Sequence, residues 1–224
     1  MSRTLSEADS KAVLAAAGVE FAPERLVQDP GSAARAAVEV GLPVAVKLCG
    51  EHIAHKTERG LVRLGLSDEA SVAAAAEELL AAARPEDEAT GVLVAPMVSG
   101  NRELIAGVAT DPQFGPTVLV GVGGVLAEAV ADVAVRLVPI TRTDAEEMLE
   151  QLSSQALLGE FRGEPALDRP AVVDLLLALS RLAEGDEQLR SVDLNPVIIA
   201  EGRPVPVDAL VEMATPAHGE EVAR

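Results

Sequence analysis

The chain has 224 residues, 49% of them hydrophobic and 24% charged, with a formal net charge of −18. Such acidity excludes a general nucleic-acid or anionic-membrane surface, yet leaves room for a small anionic ligand held by a few local cations. A single cysteine, Cys49, excludes an internal disulfide, and the N-terminus lacks a signal-peptide layout, so a cytoplasmic protein is expected.

Ser6 and Asp9 form a weak capping box for a first helix that Gly18 stops, and Ser32 to Val40 reads as a second, ended by Gly41 and Pro43. Val44 to Leu48 is a short strand whose period of two separates Val44, Val46 and Leu48 from Ala45 and Lys47. After a loop from Gly50 to Arg59 come a strand, Leu61 to Leu66, and an Ala-rich helix from Ser67 to Arg84. The polar stretch Arg84 to Thr90 marks a boundary between two lobes, 1–90 and 91–224, with about ten residues of tail at the end of the second. In the second lobe, Leu104 to Thr110 and Thr117 to Gly121 are strands joined by a turn at 111–116. Strand 133–138, helices 143–152 and 170–185, and three short strands at 192–194, 197–200 and 204–207 complete the series. Strands and helices alternate without a βαβ rhythm, so the expected class is α+β in two lobes.

The cations are unevenly placed. Of eighteen basic residues only Lys11, Lys47 and Lys56 are lysine, and His52 and His55 lie between the last two. An ammonium on an apolar strand, as at Lys47, is costly to bury unless an anion such as phosphate meets it. The loop 51–60 can lie over a triphosphate, and His55 offers a nitrogen nucleophile for a phosphoryl group. Gly121 to Gly124 lets backbone amides approach an anion, but without a following Gly-Lys-Ser/Thr it is not a P-loop. Asp193 and Asn195 share one face of a strand that Pro196 is expected to end, and Asp208 closes a neighbouring one. Oxygen ligands on adjacent strands suit a magnesium ion that keeps waters and phosphates in its other positions.

Taken in order, several strings resemble the ATP-grasp domain of ADP-forming acetyl-CoA synthetases and of the nucleotide-binding subunit of succinyl-CoA synthetase. They are Gly41 to Lys47, His55-Lys56-Thr57, Arg102 to Val108, Asp111 to Pro116, Gly121 to Gly124 with Glu128, Leu157 to Gly163, Asp193-Leu194-Asn195-Pro196, and Val207-Asp208-Ala209. The resemblance runs from about Leu5 to Met213. It implies an ATP-grasp fold of two α+β lobes with ATP or ADP between them. Lys47 then touches the phosphates. The backbone from Val94 through Pro96 to Met97 lines the adenine pocket, with Val46, Leu93 and Met97 flanking the base. Glu103 lies near the ribose, Asn195 and Asp208 bind Mg²⁺ with Asp193 in support, and His55 carries the phosphoryl group. Where relatives have two glycines after the His-Lys pair, this chain has Glu58-Arg59-Gly60. Gly60 still admits a phosphate, whereas Arg59 either crowds the loop or adds a cation.

The resemblance further implies a CoA-binding α subunit as partner, most simply in an α2β2 heterotetramer, through which a small-molecule acid and CoA are handled. The activity it implies is acid–CoA ligation, ADP-forming. A non-catalytic ATP-binding module that supports an acyltransferase partner is the alternative. A self-sufficient carboxylate–amine ligase is disfavoured, because such a mechanism does not require the His55-Lys56 pair.

Overall fold

The computed structural model describes residues 2–53, 56–124 and 131–215. Eleven strands and five α-helices are formed among them, arranged as two antiparallel sheets.

The smaller sheet has the order β2-β5-β3-β4, from Arg25–Val27 (β2), Val44–Gly50 (β3), Val62–Leu66 (β4) and Ala89–Pro96 (β5). Helices α2 (Pro30–Val40) and α3 (Glu69–Ala81) cover one face, each capped by an aspartate, Asp29 or Asp68, that accepts the backbone N–H of the third helical residue, Ser32 or Ser71. Val44, Val46 and Leu48 meet Ala33, Ala36, Ala37, Val72, Ala76 and Leu79 in one core. The small alanines let both helices lie close to the strands, and each large apolar side chain buried there contributes roughly 1.5–3 kcal/mol. The expected face assignment of strand 44–48 holds, since Lys47 points away from this core.

The larger sheet runs β1-β11-β9-β6-β7-β8, with β10 paired to β9. Its strands are Ser2–Thr4 (β1), Glu103–Asp111 (β6), Gly115–Val122 (β7), Val133–Leu137 (β8), Leu189–Ala200 (β9), Arg203–Pro206 (β10) and Leu210–Ala214 (β11). Helices α4 (Arg142–Gln151) and α5 (Arg169–Gly185) bury Met148, Leu149, Leu176 and Leu179 against Leu104, Ala106, Val192 and Leu194. The alternate residues Glu103, Asp193 and Asn195 therefore stand on the opposite, open face. Buried Arg102 ties this sheet to the segment 157–165, donating to the carbonyls of Leu157, Gly159 and Pro165 and pairing with Glu164 at 3.1 Å.

Three expectations need correction. The boundary at residue 90 cuts through β5, a strand of the smaller sheet, and the first helix does not belong with that sheet. Helix α1 (Glu7–Ala16) buries Leu14 in the larger core, while β1 pairs with β11. By packing, the smaller lobe is 25–96, and the N-terminal segment joins the larger one. Pro196 does not end a strand either: β9 continues to Ala200. It does so because β9 changes partner there, from β11 opposite 189–193 to β10 opposite 197–200. A missing proline N–H costs nothing at such a switch.

Candidate functional site

Lys47 leaves β3 on the face away from the small core and reaches the larger lobe. Its ammonium donates to Glu7 Oε1 at 2.7 Å and to the carbonyl of Val207 at 2.7 Å. Lys56, at the start of the turn leading into β4, pairs with Glu7 Oε2 and with Asp208 Oδ1, the latter at 3.0 Å. Lys11, one helical turn beyond Glu7, lies 2.9 Å from Glu7 Oε1 and donates to Glu24 at 2.7 Å and to Val207 at 3.3 Å. All three lysines of the chain thus meet on one carboxylate. Burial works against the charge on Glu7, but Lys47, Lys11 and Lys56 outweigh it and hold this carboxyl well below the usual range. Burial likewise opposes the charges of Lys11 and Lys56, and their carboxylate partners still raise both above the ordinary lysine value.

Glu7 sits where it does for local reasons. Ser6 caps α1 by accepting the N–H of Asp9, and Glu7 follows as the first helical residue. Leu5 N–H donates to Val211 at 2.9 Å and Val211 N–H donates to the Ser10 hydroxyl at 3.0 Å, which ties the helix start to β11. Sequence reasoning missed Glu7. The available signal was its spacing of four from Lys11 in a chain with only three lysines.

On the larger lobe, the change of partner along β9 leaves a gap opposite Asn195 and Pro196. The link from β10 to β11 crosses it, with Val207 N–H donating to Pro196 at 3.1 Å. Asp208 therefore stands beside the open face that carries Asp193 and Asn195. Desolvation and then the like charge of Asp208 push the Asp193 carboxyl above its ordinary value. Two carboxylates that repel one another, with an amide oxygen on the same strand, fit a divalent cation, which would relieve that repulsion.

Glu103 opens β6, and its carbonyl accepts the Gly123 N–H at 2.8 Å. A Cβ on Gly123 would come within 3.1 Å of the Glu103 side chain, so glycine permits the close approach of that loop to Glu103. The smaller lobe's hinge edge is more selective than expected. Val94 is paired on both sides, to Val46 and to Arg25, and both Val46 and Val94 point into the small core. From Ala95 onward β2 no longer covers β5, and Met97 N–H already donates to Pro43. A cavity of about 360 Å³ opens here, lined by Met97, Val98 and Ser99 and by Glu20 to Ala22. Leu93, the cross-strand neighbour of Lys47, is on the cleft face, whereas Val46 is not available to flank a base.

Arg59 is spent elsewhere. Its guanidinium makes two contacts of 2.9 Å to buried Asp87, and among the described residues it contacts none of the lysine cluster. Gly60 adopts a positive φ of 68° within the turn that brings Leu61 N–H back to the Lys56 carbonyl. His55 lies outside the described residues, as does Glu128. Glu51, His52 and Glu88 also place ligand atoms within 4.8 Å of one another on the surface of the smaller lobe, unconnected to the cluster. Among the described residues no helix is long and apolar enough to cross a membrane.

A family model described as an ATP-grasp domain matches residues 1–213. The subunit beta of ADP-forming acetate–CoA ligase II from Pyrococcus furiosus is 38% identical over 197 residues, spanning 86% of this chain and 84% of that protein. ADP-forming acetate–CoA ligase I of Archaeoglobus fulgidus is 36% identical over 217 residues, 96% of this chain but 31% of that longer protein. Among solved structures, the dinucleotide-forming acetyl-coenzyme A synthetase 1 of Ca. Korarchaeum cryptofilum, in complex with coenzyme A, Ca-AMPCP and HgCl⁺, superimposes with a TM-score of 0.88. It is 33% identical, covering 94% of this chain and 93% of the other. With its two-lobed α+β fold and these relatives, the chain belongs to the ATP-grasp family, alongside the β subunits of ADP-forming acetyl-CoA synthetases.

Proposed function

We propose that this chain is the ATP-binding subunit of an ADP-forming acid–CoA ligase, acting with a CoA-binding partner in the reversible reaction acyl-CoA + ADP + phosphate ⇌ acid + CoA + ATP. The observation that carries this reading is the 3.0 Å contact of Lys56 with Asp208, beside the contact of Lys47 with Glu7. It draws the cations of one lobe and the oxygen donors of the other to one point, the arrangement a metal–triphosphate needs. The relatives are ADP-forming ligases or their β subunits, which speaks for the catalytic reading over a non-catalytic module.

In this reading Lys47 and Lys56 face the phosphates, and Asp193, Asn195 and Asp208 hold Mg²⁺, whose charge would neutralise them. The nucleotide base enters the hinge cavity at Met97 and Val98, and Glu103 faces the ribose. His55 accepts the phosphoryl group as a neutral nitrogen nucleophile and passes it toward the partner. The Archaeoglobus relative, more than three times the length of the matched region, fits a second functional half that this chain would take from a separate α subunit, in an α2β2 assembly.

The test is phosphoryl transfer from γ-labelled ATP with Mg²⁺, with and without the candidate partner, in wild type and His55→Ala. Acid-labile label that requires His55, and CoA-dependent turnover that requires the partner, support the reading. Mg-ATP binding with neither labelled protein nor turnover overturns it.

A further inference from the structure

We propose that Glu7 is a positioning residue, whose carboxylate on the larger lobe sets where the Lys47 and Lys56 ammonium groups stand for a nucleotide's phosphates. This rests on the reading of Lys47 and Lys56 as phosphate-facing groups.

Lysine stems are long, and their rotamer freedom is among the largest of any side chain. Such a group is a precise point charge only if something rigid holds it. Glu7 has that rigidity: it is only 4% exposed, it sits in the capped first turn of α1, and that helix is fixed to β11 and to the large core through Leu14. Lys47 and Lys56 both belong to the smaller lobe. Their contacts with Glu7 therefore cross the cleft and fix the lysines relative to the lobe that carries Asp193, Asn195 and Asp208.

The donor count separates these two lysines from the third. An ammonium has three N–H groups. Those of Lys11 have three acceptors, on Glu24, Glu7 and Val207. Lys47 has two, on Glu7 and Val207, and Lys56 has two, on Glu7 and Asp208. Among the described residues one N–H on each of Lys47 and Lys56 is left for another acceptor. The charges agree with this: Glu7, Glu24 and Asp208 balance the three lysines, and a metal drawn to Asp208 would leave Lys56 with surplus charge for a phosphate. Lys11 is a structural brace; Lys47 and Lys56 are held but not saturated.

A purely structural knot and a positioning anion differ in outcome when Glu7 loses its charge. Glu7→Gln keeps the shape and one acceptor oxygen, and frees positive charge that no longer has a fixed place. Mg-ATP binding to the chain should be unchanged or tighter, while single-turnover phosphoryl transfer with the partner falls about 100-fold. Lys11→Gln should lower the melting temperature yet leave transfer within about threefold. Glu7→Asp, which keeps the charge one methylene short, should show the same split at smaller size and covers the case in which Glu7→Gln does not fold. The inference is overturned if Glu7→Gln or Glu7→Asp transfers like wild type. It is equally overturned if binding and transfer weaken together, or if Lys11→Gln loses as much transfer. Wild type that transfers no phosphoryl group overturns the functional reading and this inference with it. Active wild type with an equally active Glu7→Gln overturns this inference alone.

Discussion

Glu7 and Asp87 are both buried carboxylates that meet cations, and they meet them in opposite ways. Asp87 has one guanidinium, Arg59, bound through both oxygens, and its second oxygen also accepts the Arg84 N–H at 2.9 Å. The Arg59 contact, against the cost of burial, holds the Asp87 carboxyl below its ordinary value. Charge is balanced within one lobe, and the pair is closed. Glu7 has three ammonium groups from two lobes, two of which keep a donor to spare. A closed pair stabilises a turn; an open cluster at a lobe boundary is poised for a further anion. The difference lies in donor saturation and in contacts that cross from one lobe to the other rather than in burial or net charge, which the two sites share.

The largest expected effect that tests this comparison is Lys47→Met, which should slow phosphoryl transfer about 1,000-fold, against less than about threefold for Arg59→Met. Similar losses in both variants would erase the distinction between the open and closed sites. Next, titrating Mg²⁺ against transfer by Asp208→Asn should demand at least about tenfold more metal than wild type. An unchanged requirement would remove Asp208 from the metal site. In the closed pair the effect should appear as stability alone. Asp87→Asn should lower the melting temperature by about 3–6 °C, with little change in nucleotide affinity.

The smallest effect concerns Asp193. Its carboxyl is raised in the folded protein, so the folded state loses stability relative to the unfolded one as pH climbs through the ordinary carboxylate value toward the raised one. Asp193→Asn should therefore raise the metal-free melting temperature by about 1–2 °C at pH 7 and give no gain near pH 3, below both values. Added Mg²⁺ should then stabilise wild type more than the variant. A variant that melts lower at pH 7 would place Asp193 in a favourable contact instead.

Much of the candidate site was legible in the sequence. Lys47 stood out because an ammonium on an apolar strand needs a partner, and Asp193, Asn195 and Asp208 because oxygen donors on adjacent strands suit a metal ion. The hairpin at 111–116 was legible because its turn residues interrupt two alternating runs, and the pairs Leu104–Val122 to Asp111–Gly115 bear that out. The partner of Arg59 was not legible, because a cation beside a glycine looks the same in sequence whether or not a carboxylate 28 residues away, Asp87, pairs with it. Val46 and Val94 fared alike: their strand was clear, but only the second sheet partner shows that Val94 has no free edge.

The sequence by itself determined what is local: which faces of β3 are apolar, where caps start helices, and which residue types could meet phosphate and metal. These follow from the period of two, from side chains that accept neighbouring N–H groups, and from the cost of burying a charge. Only the tertiary structure decided that α1 joins the larger lobe, that β9 passes through Pro196, and that Glu7 gathers Lys47 and Lys56 from 40 and 49 residues away. Contacts at such separation depend on how two sheets pack. No propensity along the chain records which carboxylate a lysine will reach.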